Sequence, residues 1–325
     1  MQGGEKLYIA VLNLEPQYLN NAIEKIRIYH QGIGDIVEDY IPLFNDQYDK
    51  VYCSSIFSST PKDHLLINER WECGGTGFDV EKKLPHYIED IKLNINFGWT
   101  QRGCNNNCKF CVVPKKEGKT HAVGDIYDIW DGKSKAITLY DNNILQLPEH
   151  FYKICGQIHK ENLEVDWNQG LDIRLVNEDI AKVLSNVSHA VYHFAFDHPN
   201  MADVITEKVA ILKKYGINKA MFYVLVGCKD NQDKTLEKDI EEALFRLNHL
   251  RKLKMNAYVM RYLKCYDDQP ESLINDGTKK LYIPLANWGS VPAAFHRMEF
   301  YEDYLAIHER GTPYWKYYKQ FGLVG

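Results

Sequence analysis

Before residue 92 the chain alternates short apolar runs with polar turns. Residues 7–12, 35–41 and 50–57 read as buried strands, and a further short strand runs through residues 70–73 into Gly74-Gly75-Thr76-Gly77. Between the first two, Leu19, Ala22, Ile23, Ile26 and Tyr29 recur at helical spacing and predict a helix over residues 18–30. These elements predict a small doubly wound α/β domain over residues 1–92. Residues 93–265 alternate more regularly. Strands are expected at 93–100, 135–140, 163–168, 190–196, 220–226 and 256–261, with helices at 148–161, 177–187, 201–215 and 233–254. The last helix carries Leu236, Ile240, Leu244, Leu247 and Leu250 on one face, opposite a charged one. Strand–helix alternation implies a parallel sheet with helices outside, because parallel strands need long crossovers. Six strands fall short of the eight of a closed barrel. Residues 266–325 read as loops and aromatic-rich helices, such as 293–309. Tyr301, Tyr304, Tyr314, Trp315, Tyr317 and Tyr318 are expected there to cap the open end.

Composition narrows the class. The 325 residues are 45% hydrophobic and 26% charged, ordinary values for a soluble globular protein. No apolar run is long enough for a bilayer and no signal segment is visible, so the expectation is a cytoplasmic protein that does not engage membrane. A net charge of −5 argues against nucleic-acid binding as the main task. Lys115, Lys116 and Lys119 read as solvated loop charge. Gly74-Gly75-Thr76-Gly77 is a weak phosphate-loop signal, explained equally well by a turn that demands glycine.

In parallel α/β folds, functional groups gather at the carboxyl ends of the strands. The six ends run into Gln101-Arg102-Gly103-Cys104, Asp141-Asn142-Asn143, Asn168-Gln169-Gly170-Leu171-Asp172-Ile173-Arg174, Asp197-His198-Pro199, Gly227-Cys228 and Arg261-Tyr262. Apolar strands repeatedly ending in polar groups suggest one shared site.

Eight cysteines are present. Cys53, Cys73, Cys155, Cys228 and Cys265 are scattered and read as buried free thiols. Cys104, Cys108 and Cys111 stand within one short loop, Cys104-Asn-Asn-Asn-Cys108-Lys-Phe-Cys111. Thiolates are the natural ligands of iron–sulfur clusters, and three of them leave one iron open. Gly103 and Asn105-Asn106-Asn107 suit such a loop, since Gly and Asn tolerate left-handed backbone. A structural zinc with His121 as fourth ligand is the competing, non-catalytic reading. An electron-transfer cluster would want a fourth cysteine, and Cys155 lies inside a predicted helix.

The cysteine spacing, with Phe110 before the last cysteine and the loop following the first strand of six, resembles the signature of the radical S-adenosylmethionine (SAM) superfamily. The resemblance covers most of residues 5–262. It extends to Cys108-Lys-Phe-Cys111-Val-Val-Pro114, Leu139-Tyr-Asp-Asn-Asn143 and Phe222-Tyr-Val-Leu-Val-Gly227. It implies an α/β fold, a partial (β/α)6 TIM-like barrel over residues 93–265. A small Rossmann-like, cobalamin-binding-like domain over 1–92 would precede it, and a helical extension over 266–325 would follow. It implies a 4Fe–4S cluster on Cys104, Cys108 and Cys111, reductive cleavage of SAM to a 5′-deoxyadenosyl radical, and hydrogen abstraction from an unidentified substrate. Flavodoxin or ferredoxin would supply the electron. Asp141, Asn142 and Asn143 would stand where the family contacts the SAM amino group, although they depart from its common Gly-Gly-Glu form. Asn168, Gln169, Asp172 and Arg174 would meet the SAM carboxylate or substrate, and Asp197 the ribose. Gly227 would end the strand that packs on adenine, and Phe110 and Arg261 would complete the cofactor site. Cobalamin-dependent methylases often carry Asp-x-His-x-x-Gly in the front domain, and none is found here. Methylthiotransferases need three front-domain cysteines, where this chain has Cys53 and Cys73.

Overall fold

The computed structural model describes residues 6–322, which divide into two compact units. The first consists mainly of residues up to Ile95. Its strands β1 (Tyr8–Asn13), β2 (Ile36–Asp39), β3 (Lys50–Ser54) and β4 (Trp71–Gly74) form one parallel sheet in the order β2-β1-β3-β4. The helix between β1 and β2 spans Asn21–Ile33, three residues later than its apolar spacing suggests. Asn20 sets the start: its side-chain oxygen accepts from Ile23 N–H at 3.3 Å. Gly34, at φ 96°, ends it. Ile23 and Ile26 pack on Ile9, Val11 and Tyr52 of the sheet.

The loops at the carboxyl ends of β1, β3 and β4 are bonded to one another. The Glu15 carboxylate is buried and accepts from Ser55 Oγ at 2.9 Å, from Ile56 N–H at 2.9 Å and from Phe57 N–H at 3.3 Å. Burial pushes its pKa up, but these bonds and one from Thr60 prevail and hold it below the usual range. Gly75 sits at φ +86°, where a Cβ would lie 2.4 Å from the Ser55 carbonyl oxygen. At Gly77 it would lie 2.3 Å from Ser55 Oγ. The glycine run is thus a turn pressed against a neighbouring loop. Gly75→Ala is expected to destabilise this unit by about 1–3 kcal/mol, the range for a residue forced into disfavoured backbone. Urea denaturation of the full chain checks this, and an unchanged midpoint would refute it.

The second unit carries β5 (Phe97–Gly98), β6 (Gln101–Arg102), β7 (His121–Ala122), β8 (Ala136–Leu139), β9 (Glu164–Trp167), β10 (Tyr192–Ala195), β11 (Ala220–Val226) and β12 (Asn256–Arg261). Parallel sheets β5-β8-β9 and β10-β11-β12 are joined by parallel bridges, Val165 to His189 and Leu171 to Phe194. Helices Pro148–Glu161, Glu178–Ser185, Ala202–Lys214 and Leu236–Lys252 lie between the strands in sequence. The expected strand over 93–100 shrinks to β5, because Asn94 and Asn96 take left-handed backbone at φ 49° and 64°. Asn96 instead exchanges bonds with Asp131 at 2.9 Å.

The tail contains helices Lys279–Ser290, Pro292–Arg297, Tyr301–His308 and Pro313–Gln320. The single helix expected over 293–309 is broken at Met298, whose backbone is extended. Helix Lys279–Ser290 packs on β12, covering an edge strand. Tyr301 and Tyr318 are buried and share a 2.5 Å bond between hydroxyls, while Tyr301 packs on Trp288 at 5.2 Å. These two tyrosines therefore form part of a helical core.

Candidate active site

The cysteine loop is closed at its base by β6 and β7, paired antiparallel with Gln101 opposite Ala122 and Arg102 opposite His121. Gly103, at φ +77°, lets the loop turn: a Cβ there would lie 2.2 Å from the Lys119 carbonyl oxygen. Cys104 N–H donates to Gly118 O and Cys111 N–H to Cys108 O, each at 3.0 Å. Asn105, Asn106 and Asn107 do not use left-handed backbone, contrary to expectation. Two of them work through side chains instead. Asn105 Oδ1 accepts from Thr120 N–H at 3.3 Å, and Asn106 Nδ2 donates to Asp172 Oδ2 at 3.0 Å.

All three cysteines are free and half-buried. Burial raises the Cys108 and Cys111 thiols, the latter to about 11, and neighbouring thiols and Asp197 add to the effect. Among the described residues no three ligand-type side chains are grouped tightly enough for a single metal ion. His121 is exposed, its Nδ1 2.8 Å from the Lys119 carbonyl oxygen. A cluster asks for a different geometry, since each cysteine binds its own iron.

The loop after β8 is tied to this base. The buried Asp141 carboxylate accepts from Thr100 N–H and Oγ1, both at 2.6 Å, and from Gln101 N–H at 2.9 Å. Asn142 Oδ1 accepts from Gly103 N–H at 2.8 Å. Asn143 N–H donates to Gln101 Oε1 at 2.9 Å, and its Nδ2 lies 3.7 Å from Cys104 Sγ. Asn143 Oδ1 is buried with no hydrogen-bond partner. Asp141 thus spends its bonds on the strand ends, while Asn143 presents an unpaired acceptor beside Cys104.

Burial raises Asp141 to about 6 against an ordinary 3.8, although its three bonds pull the other way. Its acid form is therefore favoured on folding, and stability should fall as pH rises from about 4 to 6. The expected loss is about 3 kcal/mol. Urea titrations across that window check it, and Asp141→Asn should lack this dependence; an unaltered slope in the variant refutes the assignment.

Asp172 gathers three elements. It accepts from Arg174 Nε at 2.8 Å and Nη2 at 2.6 Å, from Asn106, and from Asn143 Nδ2 at 3.4 Å. Burial would raise its pKa, but Arg174 and Asn106 hold it low. Asp197 is raised by burial, against the pull of Arg246, His198 and Arg174. No donor among the described residues bonds its carboxylate. The Phe110 ring lies 6.5 Å from that of His198, and its carbonyl accepts from Gln269 Nε2 at 2.9 Å. Gly227, at φ +81°, donates its N–H to Asp239 Oδ2 at 2.6 Å. Asn168 is engaged through its backbone, its carbonyl accepting from Tyr223 OH at 2.7 Å. Gln169 and Arg261 are exposed. Geometry therefore joins Asn143, Asp172 and Arg174 to the cysteine loop and leaves Gln169 and Arg261 unconnected to it. Lys115, expected to be solvated, pairs with Asp268 at 3.6 Å.

Sequence reasoning missed Gln101. It is fully buried and donates through Nε2 to Gly103 O at 2.6 Å and Thr120 Oγ1 at 2.7 Å, besides receiving Asn143. A polar Thr-Gln pair at an apolar strand end, just before Gly-Cys, was the available signal. Arg246 gave none beyond a charged helix position.

No family model matches this chain, and no curated protein does. Among solved structures it is similar to the radical SAM methyltransferase TsrM from Kitasatospora setae, which has cobalamin and a 4Fe–4S cluster bound. The identity is 10%, the TM-score 0.55, and the match covers 79% of this chain and 75% of that one. This chain accordingly shares its fold with a radical SAM methyltransferase.

Proposed function

We propose that this protein is a radical SAM enzyme, with a 4Fe–4S cluster on Cys104, Cys108 and Cys111. The observation that carries the reading is the cysteine loop, pinned through Gln101, Asn142 and Asn143 to the next strand end of a parallel sheet. When bound, the cluster supplies the electron that cleaves the SAM sulfonium bond. The chain's own groups would hold SAM beside it. Asn143 Oδ1, buried and unpaired, would accept from the SAM amino group. Arg174, oriented by Asp172, offers donors to its carboxylate. Asp197, with no donor among the described residues, can accept from the ribose hydroxyls. Phe110, held by Gln269, adds an aromatic wall. In this reading the six parallel strands form a partial barrel, and a low-potential donor such as flavodoxin or ferredoxin delivers the electron. A cytoplasmic location belongs to the same proposal; no helix among the described residues is long and apolar enough to cross a membrane.

Cobalamin-dependent methyl transfer is a second reading, favoured by the cobalamin in the similar structure and by a parallel four-stranded front sheet. His30 is unsuited to ligate cobalt there: Nδ1 faces Asp35 at 2.7 Å and Nε2 faces Tyr52 OH at 3.0 Å.

Anaerobic reconstitution with iron and sulfide, followed by SAM and dithionite, is expected to yield 5′-deoxyadenosine and methionine. Absence of both, with stoichiometric zinc in the native protein, would establish the metal-binding alternative. Retention of added hydroxocobalamin through gel filtration would support the second reading.

A further inference from the structure

Side chains along a strand alternate between the two faces of its sheet. In β9 to β12 one face is buried, through residues such as Trp167, Phe194 and Phe222. The opposite face carries Asp166, His193, Tyr223 and Tyr258, none of them fully buried. Asp166 Oδ1 and His193 Nδ1 face each other at 3.5 Å, and neither atom has a hydrogen-bond partner. Unpaired buried polar atoms cost about 1–3 kcal/mol each, so packing alone does not account for this pair. The two side chains retain 17% and 30% exposure, for His193 and Asp166 in turn.

Aromatic rings flank the pair on both sides. The His193 ring stacks on Tyr223, with centroids 5.3 Å apart and planes 6° from parallel. Tyr258 meets Tyr223 edge-on at 6.0 Å and is 49% exposed. Toward β8, Tyr140 packs against Phe97 at 4.7 Å and Trp99 at 5.7 Å. Burial, and after it the charge of Asp166, raises the pKa of both Tyr140 and Tyr223. Both aromatic groups therefore lie within electrostatic reach of one carboxylate.

We propose that this face binds a flat aromatic or heteroaromatic molecule bearing an acidic N–H or O–H, with His193 Nε2 as its proton acceptor and Asp166 as the group that orients the imidazole. The proposal rests on the enzyme reading above and names the substrate class for the same sheet. Ring faces favour a planar partner, and the Asp166 charge disfavours an anionic one. An Nδ1–H turned toward the Asp166 carboxylate leaves the Nε2 lone pair free. The ligand's proton passes to Nε2, its bonding pair stays on the ligand heteroatom, and no electron is transferred. The 3.5 Å contact would shorten as the imidazolium forms.

The test uses the full reconstituted chain with 2-naphthol and decahydro-2-naphthol, which share a skeleton and a hydroxyl but not planarity. Calorimetry is expected to show saturable binding of 2-naphthol alone, weakened at least tenfold in His193→Gln and in Tyr223→Leu. In histidine-labelled protein one ¹⁵N signal, missing from His193→Gln, should move on adding 2-naphthol. Asp166→Asn should reduce that movement, which a merely structural carboxylate would not do. Equal binding of the two alcohols, unchanged affinity in both variants, or no binding at all overturns the proposal. SAM cleavage without 2-naphthol is measured on the same samples. A wild-type chain that binds 2-naphthol but cleaves no SAM fails the enzyme reading alone, whereas one that cleaves SAM and ignores 2-naphthol fails only this proposal.

Discussion

Cys108→Ala is expected to leave the reconstituted protein without its brown cluster and to lower 5′-deoxyadenosine formation at least about 100-fold, a loss that even an outer partner of a metal site can cause. Cys104→Ala and Cys111→Ala should behave alike. The reason lies in the loop. Its ends are closed by the β6–β7 pairing and its turns by Cys104 N–H on Gly118 O and Cys111 N–H on Cys108 O. These constraints leave the three thiols on one short excursion, with no other cysteine in that loop to replace a missing corner. Of the five other cysteines, Cys53 stands opposite Cys73 between β3 and β4, and Cys155 is buried in helix Pro148–Glu161. Cys53→Ala and Cys155→Ala should therefore retain the cluster. Iron and sulfide analysis with the electron paramagnetic resonance of the reduced protein measures both sides of the comparison. Loss of cluster in Cys53→Ala with retention in Cys108→Ala would mean that the ligands are misassigned.

Much of the fold was legible because apolar spacing repeats locally. Strands β11 and β12 and helix Pro148–Glu161 have the bounds that their patterns predict. The failure at β5 is equally local in origin, since a run that alternates well is interrupted by two asparagines in left-handed backbone. Candidate site residues stand out in the sequence where a chemistry asks for a rare residue type, as with the cysteines. They do not stand out where the role depends on a distant partner. Gln269 reaches Phe110 across 159 positions, and nothing near either residue announces it. Asp141 shows the reverse case. Its place after the second strand of the barrel reading suggested a ligand contact, yet its carboxylate is taken up by Thr100 and Gln101, and its neighbour Asn143 keeps the unpaired oxygen.

Arg246 is expected to be the most sensitive position outside the cysteine loop. It is fully buried, and it donates to three carbonyls at the carboxyl ends of β10 and β11: Phe196 and Asp197 through Nη1 and Leu225 through Nη2, each at 2.9 Å. Its charge is balanced within a network in which Lys234 meets Asp239 at 3.1 Å and Glu242 at 3.3 Å, and Asp239 accepts from Gly227 N–H and from Tyr282 OH at 3.0 Å. Arg246→Leu keeps the bulk but strands three carbonyls and leaves the acidic side chains in excess. The expected destabilisation is about 3–5 kcal/mol, the range for breaking a buried charge arrangement by removing one partner. Arg246→Lys should recover only part of it, because a point ammonium cannot reproduce a planar fork aimed at separate acceptors. Since the same guanidinium fixes the Asp197 backbone, SAM affinity should weaken in Arg246→Lys even where the protein remains folded. Urea denaturation, with hydrogen exchange in helix Leu236–Lys252 to locate the affected unit, measures the first effect, and equilibrium binding of SAM measures the second. An Arg246→Leu protein within about 1 kcal/mol of wild type, where most surface substitutions fall, would show that the strand ends hold their positions without it, and Asp197 would then owe its placement to β10 alone.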